Sequence, residues 1–145
     1  MTAVSERAAP PLSDLVARLA GPTGPEVRFA EQVTERHVEF GALVELLLRD
    51  ATPGVDAMEA AQVAGAVAAG CLGEQHLWRD LALPNRAALR TLLETYLRDL
   101  AADNTMDMRW KKFIYRRLCR WGGFPTCKAP SCGVCPDYSE CFGPE

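Results

Sequence analysis

Residues 127–141 read CKAPSCGVCPDYSEC, so four, two and five residues separate Cys127, Cys132, Cys135 and Cys141. Four thiols in so short a stretch are metal-ligand chemistry. A thiolate is at once a soft ligand and a negative charge, and short connections let one backbone wrap a small inorganic core from several sides. Pro130, Gly133 and Pro136 supply the bends. The first three cysteines have the four-then-two spacing of plant-type two-iron ferredoxins, whereas the fourth lies much nearer than in that class. Spacing alone points to a cluster without naming it. Structural zinc is one alternative, but zinc usually takes two two-residue knuckles held apart by a longer stretch, and only Cys132 and Cys135 form such a pair. Two disulfides are the other, disfavoured in a reducing cytosol.

The segment leading into these cysteines is basic. Between Arg109 and Lys128 stand seven of the sixteen basic residues and no acidic one. On a helix Arg109, Arg116 and Arg120 share a face, and with Lys112 they form a candidate patch for an oxyanion or an acidic partner. A cation about 7 Å from a negatively charged cluster would stabilise it by about 2 kcal/mol at an effective dielectric near 20, which tunes a cluster without holding one. A solvated helix face is the competing reading. Cys119 falls opposite Trp110 on the helical wheel and precedes Cys127 by eight residues. It is either a further ligand or a packed thiol, and Cys71 reads as core. His76, after a glycine and before Leu77 and Trp78, is either an additional ligand or a structural cap, whereas His37 sits on an apolar stripe as a core histidine.

The chain that positions these groups has 145 residues, 48% of them apolar, enough for one compact domain. A net charge of -3 and a pI near 5.4 give no broad positive field, so nucleic acid is not an expected partner. The opening MTAVSERAAP lacks the apolar core of a signal peptide, and no apolar run approaches the roughly 20 residues that span a bilayer; a cytoplasmic protein without membrane contact is expected. No nucleophile with a general base, phosphate loop or carboxylate pair in a defined motif appears, so a carrier is expected rather than an enzyme.

The periodicity is helical throughout. Residues 1–11 read as a flexible tail, 12–121 as a helical bundle, and 122–145 as a cysteine-rich segment of the same domain. The first helix is capped by Ser13 and stopped by Gly21 and Pro22; the second runs from Pro25 to about Asp50, with Val33, His37, Phe40, Val44 and Leu47 on its buried stripe. Asp56 and Glu59 have capping-box spacing for a third, running to about Gly70. Its small residues Ala60, Ala61, Ala64, Gly65, Ala68 and Ala69 place it in the centre, where neighbours approach closely. A short helix follows over Gln75–Leu81, then one capped by Asn85 that ends near Asp103 and Asn104. The last, capped by Thr105 and spanning Asp107–Trp121, puts Trp110, Phe113, Ile114, Leu118 and Trp121 on one side, and Gly122 and Gly123 end it. The expected fold is all-α: a single-domain bundle of five or six helices with a C-terminal cysteine-rich metal-binding loop.

The run DMRWKKFIYRRLC, followed by CKAPSCGVCPDYSECFGPE, resembles the NifQ family of nitrogen-fixation proteins, and HLWRDLALPNRAAL resembles that family's middle segment. The resemblance extends from His76 to Glu145. It implies that Cys127, Cys132, Cys135 and Cys141 ligate an iron-sulfur cluster, in this family a molybdenum-iron-sulfur cluster, carried to the scaffold where the iron-molybdenum cofactor of nitrogenase is built. The cofactor-assembly scaffold and the nitrogenase iron protein are the partners it implies, and molybdate becomes a candidate for the basic patch. A simple iron-sulfur electron carrier and a zinc-stapled interaction module are the alternatives. Ordering the roughly fifteen loop residues costs on the order of 1 to 2 kcal/mol each, comparable to the roughly 10 to 16 kcal/mol that metal binding returns; a loop mobile without metal and able to release its cargo is expected.

Overall fold

A computed structural model describes residues 11–122, and all the regular structure among them is helical. In chain order the helices are α1 (Leu12–Ala20), α2 (Pro25–Arg28), α3 (Ala30–Glu35), α4 (His37–Arg49), α5 (Ala57–Cys71), α6 (Leu77–Asp80), α7 (Arg86–Tyr96), α8 (Arg98–Asp103) and α9 (Trp110–Gly122). The six expected helices are present, two of them in pieces. The expected tail, apart from Pro11, and the cysteine-rich segment beyond Gly122 lie outside the described residues.

Helix α5 is the centre, as its small residues require. Ala60 and every residue from Val63 to Leu72 are buried, and α1, α2, α3, α4, α6 and α7 all pack against it. Short side chains keep the ridges low, so six neighbours can crowd one rod. Ala61, expected on that packed surface, is instead exposed. Asp56 caps α5 by accepting from the Glu59 amide at 2.9 Å, but the capping box is half made: Glu59 Oε1 accepts from the Tyr96 hydroxyl at 3.2 Å.

The expected helix over Pro25–Asp50 breaks at Phe29 and at Arg36, whose ψ angles of 26° and 41° leave the helical region. A straight rod touches α5 over a few turns, whereas three short pieces wrap it. The expected stripe holds at Val33, Phe40, Val44 and Leu47, but the break at Arg36 makes His37 the first residue of α4. Leu43, Leu46 and Leu47 become the buried positions of α4, Phe40 and Val44 pack partly against the core, and His37 is exposed at the helix start. The core reading of His37 is thereby corrected; its Nδ1 lies 3.4 Å from the Thr34 carbonyl oxygen.

The helix after Asn85 likewise breaks at Leu97, where Thr52 intervenes: its amide donates to the Tyr96 carbonyl and its hydroxyl accepts from the Arg98 amide, each at 2.9 Å. Asn85 caps α7 as expected, accepting from the Ala88 amide at 2.8 Å. Two other caps fall elsewhere. Pro11, not Ser13, precedes α1, its carbonyl accepting from the Asp14 and Leu15 amides. Thr105 is exposed five residues ahead of α9, and the buried Asn104, at the end of α8, holds both the amide and the carbonyl of Met108 with its side chain at 2.8 and 2.9 Å. The expected helix over Gln75–Leu81 contracts to Leu77–Asp80.

Helix α9 packs on α4 and buries Trp110, Phe113, Ile114 and Leu118. Trp121 departs from that stripe: it is 39% exposed, with the Arg49 guanidinium 4.9 Å from its ring centroid. No described helix is long and apolar enough to cross a membrane.

Candidate functional site

Cys127, Cys132, Cys135 and Cys141 lie outside the described residues. What the fold does describe is the helix that leads into them and the charged groups that anchor it. Lys111, on the border of the apolar stripe of α9, donates to Asp80 Oδ2 at 2.5 Å and to the Gly73 carbonyl at 2.9 Å. Asp80 is buried and also accepts from the Gln75 amide at 3.1 Å. Gly73 leaves the room for this: a Cβ there would meet Asp80 Oδ2 at 2.4 Å. The pair thus staples the 73–80 segment to the first turn of α9. At the other flank Arg117 bridges Asp50 at 2.9 Å and Asp103 at 2.8 Å, tying α9 to the ends of α4 and α8.

Between these anchors lies a partly buried polar group. The Tyr115 hydroxyl donates to Glu39 Oε2, and Arg36 donates to the same carboxylate and, at 3.3 Å, to the Tyr115 oxygen. Burial, reinforced by the bond to Glu39, raises the Tyr115 pKa well above the ordinary phenol value. Cys71 is fully buried beside them. Burial pushes its thiol up to about 12, opposed by Lys111 and reinforced by Asp80 and Glu39. A thiol held neutral in this way is a poor nucleophile and a poor ligand, so Cys71 belongs to the core as expected.

The expected basic patch divides between two concavities. Arg109 and Lys112 line a cleft of about 470 Å³ together with Glu74, Gln75, His76, Leu77, Arg79 and Lys111. Arg116 and Arg120 line a second, of about 300 Å³, with Asp103, Asn104, Thr105, Met106, Met108, Phe113 and Arg117. Arg109 precedes the first helical residue of α9, whereas Arg116 is at its midpoint and Arg120 in its last turn, so four cations of one patch line two places. His76 occupies the position before α6 but makes no side-chain capping bond, which removes the specific cap role expected of it and places its ring in the first cleft. Cys119 is half-buried on α9. Among the described residues no three of His, Cys, Asp and Glu gather to form a metal site.

Sequence reasoning missed the parts played by Asp80, Arg79, Lys111 and Arg117. Two of them carried a signal. Arg117 falls four residues after Phe113, and Lys111 three before Ile114, each beside the buried stripe, where a cation must find a carboxylate. Asp80 is reached from another segment, and no local pattern marks it.

Comparison with known proteins matches residues 6–143 to the NifQ family. The match takes in residues 6–70, which carried no part of the resemblance seen in the motifs. Among curated relatives, Protein NifQ of Azotobacter vinelandii is 47% identical over 102 residues, 70% of this chain and 52% of that protein. A Protein NifQ homolog of Sinorhizobium fredii is 42% identical over 118 residues, 81% of this chain and 49% of the relative, and Protein NifQ of Rhodobacter capsulatus is 41% identical over 92 residues, 63% and 51% respectively. The chain spans about half the length of the curated relatives it matches. No solved structure matches it.

Proposed function

The chain belongs to the NifQ family, and from that premise we propose that it serves nitrogen fixation as a carrier of a molybdenum-iron-sulfur cluster destined for the iron-molybdenum cofactor of nitrogenase. The observation that carries the reading is the spacing of Cys127, Cys132, Cys135 and Cys141 in a member of this family. Four thiolates supply soft donors and enough negative charge for an iron-sulfur core, and the sharing of four donors among several metals leaves coordination positions for exchange. The cluster is cargo. Its transfer is ligand exchange: donors of the assembly scaffold or of the nitrogenase iron protein replace thiolates of this chain, with no bond of the polypeptide made or broken. The protein is a carrier and not a catalyst in this reading, and it works in the cytoplasm.

The described body supports the reading by being a firm base for that segment. Helix α9, which precedes the cysteine-rich stretch in the sequence, is held by ion pairs at Lys111 and Arg117 and by four buried apolar side chains. The test is the visible spectrum of protein purified without oxygen. A carrier of an iron-sulfur cargo absorbs well beyond the aromatic band and loses that absorption when the four cysteines are changed to Ser; a zinc-stapled module is colourless before and after. Colourless protein from iron-replete cells sinks the proposal.

A further inference from the structure

We draw no further inference here: the strongest candidate, the partly buried side-chain cluster of Arg36, Glu39, Cys71 and Tyr115 where α4, α5 and α9 meet, belongs to the site already described, its hydrogen bonds running between those helices and its thiol held neutral by burial.

Discussion

Asp80 and Lys111 are where single side chains decide how the last helix sits. Their side chains are 8% and 18% exposed, so removing one leaves the other charged and poorly solvated. Asp80→Ala should destabilise the fold by about 3 kcal/mol, because an uncompensated buried charge costs more than the pair itself contributes. Adding Lys111→Met should cost less than the sum of the two single changes; strict additivity in urea unfolding would show that the pair is not coupled. Cys71 and Tyr115 set a second residue-scale property. Each has a folded pKa raised by burial, the thiol from 9.0 to about 12, so each keeps its proton in the folded chain where the unfolded chain has lost it. Stability from such groups is complete below the unfolded pKa and is lost as pH rises toward the folded one. Unfolding midpoints should therefore fall between about pH 9 and pH 12, and Cys71→Ala should make the first part of that fall shallower. An identical alkaline profile for wild type and Cys71→Ala would show that the thiol is not held neutral.

At the scale of elements, α5 determines the architecture through what its side chains lack. Ala68 is fully buried where neighbouring helices close in, and Ala61 on the same helix is exposed. Ala68→Leu should cost about 1 to 3 kcal/mol by overpacking, whereas Ala61→Leu should stay within about 0.5 kcal/mol. Thermal unfolding compares them directly, and equal midpoints would mean that α5 is not the packed centre. The same helix shows why elements were legible in the sequence and their breaks were not. Runs of small residues, the Asp56 and Asn85 caps and the stripe from Trp110 to Leu118 are local signals, and they marked helices that are present. The breaks at Phe29, Arg36 and Leu97 answer to distant partners: α5 to be wrapped, and Thr52 reaching into the chain at Tyr96 and Arg98. Periodicity carries no term for a hydrogen bond arriving from forty residues away. His37 was misplaced for the same reason, since the undetected break makes it the first residue of α4, an exposed helix start rather than a mid-helix position.

For the whole molecule, the candidate site was legible in its chemistry before its placement. Thiol spacing and the motifs around it pointed to the family that the match over residues 6–143 establishes. The basic run before the cysteines was visible too, but a linear run cannot show that Arg109 and Lys112 open on a different cleft from Arg116 and Arg120. Nor could it show that Arg79 joins the first pair from another segment. In the resulting account a helical body presents a cation-lined cleft between residues 74–79 and the start of α9, and α9 precedes in sequence the cysteines proposed to hold the cargo. The most direct test is elemental analysis of protein made without oxygen in cells supplied with iron and molybdate. The account predicts iron and molybdenum bound together in the wild-type chain and neither retained as a cluster when Cys127, Cys132, Cys135 and Cys141 are Ser; wild-type protein that holds neither element, or a four-serine variant that holds both, would contradict it.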